Sequence, residues 1–218
     1  MLQFDFQFEV PGKSRMRASG EFLAGLRLAI LGPSGCGKST FLKSLCALGP
    51  RTGEVSWGTK TLNQALLHEG ILGFCFQSSP LFPHLSVKQN LLLPFKTLKS
   101  LRNFSDALAE EKVLKILEKA KIASLQDRWP HDLSGGEKKR ISLLRAMVFN
   151  PPLLVLDEPF SDLDAENKTV YKSWIEDLIH DHKGILIYVT HSDEDLTLSN
   201  SQMRWPKGEH LDFGRIPR

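Results

Sequence analysis

Residues 2–10 alternate strictly between apolar and polar side chains. Five apolar residues lie on one face of the extended chain, and the four residues between them are polar. The apolar residues are Leu2, Phe4, Phe6, Phe8 and Val10. A period of two is typical of a strand that buries one face in an antiparallel sheet. The pattern therefore predicts an N-terminal strand and argues against a signal peptide, which would carry an apolar run here.

Apolar strand-length segments then alternate with helical patterns. Segment 26–31 predicts a buried strand, and a glycine-rich loop and a helix over 38–48 follow it. Helices are also predicted at about 135–149 and 165–182, followed by the strands 153–158 and 184–190 respectively. This order of elements predicts an α/β fold with a central sheet.

The middle of the chain has a different character. Residues 53–77 predict short strands and turns, whereas about 79–130 is mainly helical, with a helix at about 105–122 that Ser105 caps. We interpret 79–130 as a helical insertion in one domain spanning 1–218. Segments 1–78 and 131–218 then form the core and an antiparallel β subdomain.

Composition and charge exclude several functions. The net charge of +3 comes without a long basic run, which argues against nucleic-acid binding. The sequence contains no run of 18 apolar residues, the length needed to span a membrane, so a membrane role requires a partner. The cysteines Cys36, Cys46 and Cys75 lack metal-ligand spacing and are predicted to be small buried side chains in a reducing compartment.

A complete phosphate-binding pattern lies between the predicted strand and helix at 26–48. The segment is Gly32, Pro33, Ser34, Gly35, Cys36, Gly37, Lys38, Ser39 and Thr40, which matches G-x-x-x-x-G-K-[ST]. Glycines allow successive backbone N–H groups to face phosphate oxygens, the lysine neutralises the outer phosphates, and the Ser39 hydroxyl can ligate Mg²⁺. The pattern predicts binding of ATP or GTP.

Two acidic residues end the buried strand at 153–158. Asp157 is placed where a carboxylate can hold the Mg²⁺ shell, and Glu158 can orient an attacking water or accept its proton. An acidic strand end facing solvent is the alternative. The complete phosphate loop makes the catalytic interpretation the stronger one.

Taken together, these motifs resemble the ATP-binding subunits of ABC transporters over nearly the whole chain. The resemblance rests on the Walker A loop, Gln77, the signature "LSGGE" at 133–137, Walker B "LLVLDE", the D-loop "SDLD" at 161–164 and His191, in the family's order. It implies a P-loop ATPase fold of ABC type, with a mixed sheet core, an antiparallel β subdomain and the helical insertion. ATP and Mg²⁺ are the implied cofactors.

The resemblance also implies a head-to-tail dimer. Ser134, Gly135 and Gly136 offer a hydroxyl and N–H groups at a helix start but no lysine, so they would complete the phosphate site of a second ATP-binding subunit. A simple N-capped helix is the alternative. Asp164 would act across the same interface. Asp162 lies near it, at a position where the family more often has a small residue.

Two further residues, Gln77 and His191, acquire a functional role only from the resemblance. His191 would contact the γ-phosphate and hold Glu158 and the water in place, and Gln77 would sense Mg²⁺ and water and join the site to the insertion. Related subunits stack adenine on an aromatic residue upstream of Walker A. The nearest aromatic here is Phe8, which alternation assigns to the core, so no adenine contact is identified.

The implied function is ATP hydrolysis that powers bacterial solute import, and the compact chain resembles ATPases of thiamine or molybdate uptake. A segment containing Leu81, Phe82 and Leu85 resembles the groove that grips a helix of the membrane subunit, although internal packing is equally consistent with it. The expected partners are a second copy, integral membrane permease subunits and a solute-binding protein, at the cytoplasmic face of the inner membrane. The alternatives are an exporter-type subunit, an ABC ATPase acting on ribosomes or DNA, a partner unable to hydrolyse ATP, and a P-loop kinase.

Overall fold

The computed structural model describes residues 1–62, 69–78, 80–102, 105–206 and 208–216, with the backbone alone at 97 and 99–102. Its strands form two five-stranded sheets. The strands are β1 Leu2–Glu9, β2 Arg15–Phe22, β3 Arg27–Leu31, β4 Thr52–Trp57, β5 Lys60–Thr61, β6 Leu72–Cys75, β7 Leu153–Asp157, β8 Ile185–Val189, β9 Ser201–Arg204 and β10 His210–Ile216.

The central sheet is parallel and has the order β6-β7-β8-β3-β9. Strands β7 and β8 are buried at every position, as their apolar sequences predict. Because the strands are parallel, their carboxyl ends meet at one edge of the sheet. The phosphate loop, the acidic pair and His191 follow three of these ends, so the topology brings the predicted site together.

The second sheet has the order β10-β2-β1-β4-β5 and is antiparallel except for β10, which pairs with β2 in parallel. Strand β1 alternates between buried and exposed residues throughout, which confirms the prediction from its sequence. The predicted N-terminal subdomain thus receives its outer strand from residues 210–216.

Five helices are described. They are α1 Lys38–Leu45, α2 Val87–Arg102, α3 Asp106–Lys119, α4 Gly135–Met147 and α5 Ala165–His182. Short 3-10 helices cover Ala123–Leu125, Pro130–Asp132 and Asp193–Leu198. None of the described helices is long and apolar enough to cross a lipid bilayer.

Two apolar clusters cover opposite faces of the central sheet. One joins this sheet to the antiparallel sheet around Phe41 of α1, whose ring lies 6.0 Å from those of Phe6 and Phe8 and 5.3 Å from that of Phe213. The other packs α2–α5 against the sheet and includes Val87 and Leu91 of α2. The helices within 79–130 therefore share a core with α4 and the sheet.

Most of the predicted helices and strands are confirmed, and the differences lie at their ends. Ser105 caps α3 by accepting a hydrogen bond from the Leu108 N–H at 3.1 Å, as predicted. Helix α1 ends at Leu45 and not near residue 48, because Ala47 adopts a left-handed conformation with φ of 57°. The three cysteines are free and buried, also as predicted.

Candidate functional site

The phosphate loop connects β3 directly to α1. Gly35 and Gly37 have φ of +70° and +114°, conformations that a residue with a side chain rarely adopts, and a Cβ on Gly37 would lie 2.7 Å from Val10. Helix α1 has no side-chain cap hydrogen bond at its start. Its first backbone N–H groups therefore have no N-cap side chain to bond, and an anion bound at the loop can accept their hydrogen bonds.

The ammonium group of Lys38 lies inside the curve of this loop. Its Nζ donates hydrogen bonds of 2.7 Å to the carbonyl oxygens of Gly32 and Pro33, and only 5% of the residue is exposed. A positive charge is thus held at the centre of the loop. Phosphate oxygens approaching the loop would meet both this charge and the N–H groups of α1.

Asp157 ends β7 and is almost completely buried. Its Oδ1 has no hydrogen-bond partner among the described residues. Burial raises the pKa of this carboxyl above its usual value, and a hydrogen bond from Ser39 opposes the shift. A buried oxygen without a donor, beside a hydroxyl, suits a divalent cation that takes its other ligands from phosphate and water.

Glu158 lies where the neighbouring strands β6, β7 and β8 end. Its Oε1 is 2.6 Å from Nε2 of His191, and its Oε2 accepts a hydrogen bond of 3.1 Å from Nε2 of Gln77. The residue has a positive φ of 48°, and its N–H donates to the Val189 carbonyl of β8 at 3.1 Å. The carboxylate is therefore held by two side chains, which the sequence placed 81 and 33 positions away.

The signature segment begins helix α4. Ser134 and Glu137 form a reciprocal capping box, with 3.2 Å from the Glu137 N–H to the Ser134 Oγ and 2.7 Å from the Ser134 N–H to the Glu137 carboxylate. A Cβ on Gly135 would meet no atom within 4 Å. No hydrogen bond found in the described ranges joins Ser134, Gly135 or Gly136 to the phosphate loop.

The D-loop residues lie close to this segment within the same chain. Asp164 caps α5, and its two carboxylate oxygens accept hydrogen bonds of 2.8 and 2.7 Å from the backbone and side chain of Asn167, which hold its pKa below the usual value. Asp162 has a φ of 64°, and its carbonyl oxygen would lie 3.1 Å from a Cβ on Gly136. The role of Asp164 across a dimer interface stays a prediction.

Two residues that the sequence did not identify lie beside this site. Lys139 of α4 is 2% exposed, and its Nζ donates to the carbonyl oxygens of Gln77 and Asp157 at 3.2 and 3.5 Å. Trp205 follows β9, and its backbone N–H donates to the carbonyl of Leu31, the last residue of β3 before the phosphate loop. Lys139 could have been found from the sequence, because its spacing places it on the buried face of α4 with Leu143 and Met147. Trp205 gave no such signal, since it is remote from the loop in sequence.

The chain matches the family model described as ABC transporter over residues 16–161, more than half of its length. It is 35% identical over 175 residues to the sulfate/thiosulfate import ATP-binding protein CysA of Escherichia coli K12, covering 80% of this chain and 48% of that protein. A probable protein of the same description from Chlorella vulgaris is 32% identical over 200 residues, covering 91% and 83%. The chain spans about half the length of several of the curated relatives it matches.

Solved structures show the same fold. The dimeric post-hydrolysis state of the ATP-binding cassette MJ0796 bound to ADP and Pi superposes with a TM-score of 0.81 at 24% identity, covering 100% of this chain and 97% of that one. The predicted α/β fold class is thereby confirmed. The expected likeness to thiamine or molybdate uptake ATPases finds no specific support, because the relatives named here are described as sulfate/thiosulfate import proteins.

Proposed function

Because this chain belongs to the ABC transporter family of ATP-binding domains, we propose that it binds and hydrolyses ATP in a head-to-tail dimer that powers solute import. The observation that carries the proposal is the junction of three strand ends, where Gln77 and His191 hold the Glu158 carboxylate. This junction follows the same sheet edge as the phosphate loop. Such an arrangement positions a water for attack on a phosphate.

The phosphates bind to the loop at residues 32–40. The N–H groups at the start of α1 donate to their oxygens, and Lys38 exchanges its contacts with the Gly32 and Pro33 carbonyls for the outer phosphates. The positive charge is buried, so it attracts the phosphates more strongly than an exposed lysine would.

The residues present fit a magnesium ion. Asp157, with its free Oδ1, the Ser39 hydroxyl and the Gln77 amide would hold it. When bound, Mg²⁺ neutralises charge on the phosphate oxygens. Mg²⁺ typically takes one or two protein carboxylates with phosphate and water, so a single buried aspartate is sufficient.

Glu158 orients the attacking water and can accept its proton. Its carboxylate already has two neighbours that fix its direction, which lowers the entropy cost of reaching the reactive geometry. His191 has 39% of its side chain exposed and can turn toward the γ-phosphate while it remains near Glu158. Its role is to position groups and not to transfer the proton.

Ser134, Gly135 and Gly136 complete the phosphate site of the second copy. The surface at Gly135 is open, and the N-terminus of α4 presents N–H groups there. The capping box keeps this helix start formed before a partner arrives. Asp164, which caps α5, would face the same interface.

The transport assembly would include integral membrane permease subunits and a solute-binding protein, with this chain peripheral at the cytoplasmic face of the inner membrane. The importer names of its relatives support this direction of transport. Phe82, which is 43% exposed, would contact a helix of the permease. Arg145 lies 5.3 Å from the Phe82 ring, and buried Asn90 bonds both backbone groups of Phe82, so this contact surface is firmly held.

The test is the solution mass of the Glu158→Gln variant with and without Mg-ATP. We expect ATP binding without turnover and a doubled mass, because the amide cannot accept the proton but leaves the binding residues intact. Ser134→Arg in the same background should stay monomeric. ATP turnover at the normal rate by Glu158→Gln would contradict the role of Glu158, and a doubled mass with Ser134→Arg would contradict the shared site.

A further inference from the structure

A hollow of about 590 Å³ opens beside the phosphate loop, between the β1–β2 turn and residues 205–206 and 208–209. Its size falls within the range of small-molecule sites in proteins, about 300–1,000 Å³. Its lining comprises Lys13, Ser14, Met16, Pro33, Cys36, Trp205, Pro206, Gly208 and Glu209. Pro33 and Cys36 belong to the phosphate loop itself, so a ligand in the hollow would be continuous with one on the loop.

Trp205 is fixed along the phosphate loop by several contacts. Its backbone N–H donates to the Leu31 carbonyl at 2.6 Å, and its Cβ lies 2.6 Å from the position that a Cβ on Gly32 would occupy. Its indole reaches as far as Gly37 and lies 6.0 Å from the Phe41 ring in an edge-to-face arrangement. The indole is therefore packed on one side, partly exposed, and forms part of the wall of the hollow.

The wall opposite the loop is polar and held in place. Ser14 of the β1–β2 turn donates a hydrogen bond to the Glu209 carboxylate, and the Glu209 carbonyl accepts from the Arg17 N–H at 2.9 Å. These bonds join the turn to the start of β10. Met16, which is 5% exposed, adds an apolar surface beneath them.

An aromatic and apolar wall beside a phosphate site, with hydroxyl and carboxylate groups across from it, suits a planar base joined to a sugar. We propose that the base and ribose of the nucleotide bind in this hollow and that the indole of Trp205 is the aromatic contact for the base. The proposal rests on the proposed ATP binding. Phe8 cannot serve instead, because it is 2% exposed and packs against Phe6 and Phe41.

The proposal divides the binding free energy of ATP between its base, which contacts Trp205, and its phosphates, which contact the loop. Inorganic tripolyphosphate carries the charges that the loop recognises but has no base. Stacking of a base on an aromatic side chain contributes about 1–3 kcal/mol, which corresponds to roughly 5- to 150-fold in affinity. Trp205 should therefore matter for ATP and not for tripolyphosphate.

The experiment is calorimetric titration of Mg-ATP and Mg-tripolyphosphate into the full chain and its Trp205→Ala and Trp205→Phe variants. We expect Trp205→Ala to weaken ATP binding roughly 5- to 150-fold, Trp205→Phe to restore most of it, and tripolyphosphate affinity to stay the same in all three. Trp129→Ala is the matched control, since Trp129 is 43% exposed and does not line the hollow.

A second measurement covers the case in which Trp205→Ala does not fold. Mg-ATP should quench tryptophan emission of the unsubstituted chain whereas tripolyphosphate should not, and Trp205→Phe, which keeps a ring in the packed position, should lose that quenching while it still binds ATP. Equal loss of ATP and tripolyphosphate in Trp205→Ala, or unchanged quenching in Trp205→Phe, would overturn the proposal. Failure of the unsubstituted chain to bind either ligand would instead remove the proposed ATP binding itself.

Discussion

Lys139→Met removes a buried positive charge that connects the signature helix α4 to the catalytic edge of the sheet. The methionine keeps most of the length and apolar character of the stem, so the substitution mainly deletes the ammonium group. The carbonyl oxygens of Gln77 and Asp157 then lose a donor at 3.2 and 3.5 Å. The perturbation therefore acts on two residues of the site through their backbone.

The magnitude follows from two opposing contributions. An acceptor left without its donor costs about 1–3 kcal/mol, and the long distances here favour the lower part of that range. Relief from burying a charge offsets part of the loss, because a 2% exposed ammonium is costly to desolvate. We expect a net loss of about 1–2 kcal/mol in the free energy of unfolding, or about 2–8 °C in Tm for a chain of this size.

The effect on hydrolysis should exceed the effect on binding. Gln77 and Asp157 belong to the proposed site for the metal and the water, whereas no hydrogen bond among the described residues joins Lys139 to Lys38 or to the phosphate loop. We expect kcat to fall at least tenfold, a loss of about 1.4 kcal/mol in transition-state stabilisation, while KM changes by less than threefold.

The assays are thermal unfolding of the free protein and steady-state phosphate release. Lys138→Met is the control, because it removes a lysine one position earlier that is not buried. Lys139→Arg should recover part of kcat, since it restores a donor. A Lys139→Met variant with unchanged Tm and kcat would refute the reasoning, and so would an equal loss in the control.

Four further substitutions test other parts of the structure. Asp157→Asn should raise Tm of the metal-free protein at pH 7 while it abolishes hydrolysis. Burial raises the pKa of Asp157, so its ionised form opposes folding, and the amide removes that cost. In thermal scans the gain in Tm should disappear as the pH falls through the pKa of Asp157 in the folded protein. Ser134→Ala should lower stability by about 1 kcal/mol in denaturant unfolding, because α4 loses its cap; Thr169→Ala, an exposed position within α5, is the comparison. Phe41→Ala should cost about 3–5 kcal/mol, since the ring is fully buried between the two sheets. Arg145→Ala should leave basal ATP hydrolysis unchanged but weaken assembly with the permease in pull-down, because Phe82 loses its stacked guanidinium and the Pro80 carbonyl loses its donor.

Local periodicity predicted what local forces determine. Strand β1, helix α5 and the core position of Phe8 followed from spacing alone, since each depends on one face of one element being buried. The phosphate loop was recognisable because strand, glycines and lysine are contiguous. Helix ends were less predictable, as the left-handed Ala47 at the end of α1 illustrates.

Contacts between distant segments could not be predicted in the same way. The residues alone did not join Gln77, Glu158 and His191, and only the family resemblance implied that His191 holds Glu158. The parallel order of β6, β7 and β8 brings both side chains onto this one carboxylate. Lys139 lies four residues before Leu143 on the buried face of α4, but its bonds to the Gln77 and Asp157 carbonyls form only once this helix packs on the sheet. Trp205 acquires its position from the β3–β9 pairing, which no local pattern encodes.

The outer strands β9 and β10 have a consequence for how the chain is made. Each is the edge strand of a different sheet and covers the strand beside it: β9 pairs with β3, and β10 pairs with β2, a strand completed almost two hundred residues earlier. During synthesis the outer sides of β2 and β3 stay unpaired until β9 and β10 leave the ribosome, and open strand edges are templates for association with other chains. The phosphate loop is thus synthesised well before β2 and β3 gain these partners. Chaperone dependence should therefore be greatest in the interval between synthesis of β8 and synthesis of β10.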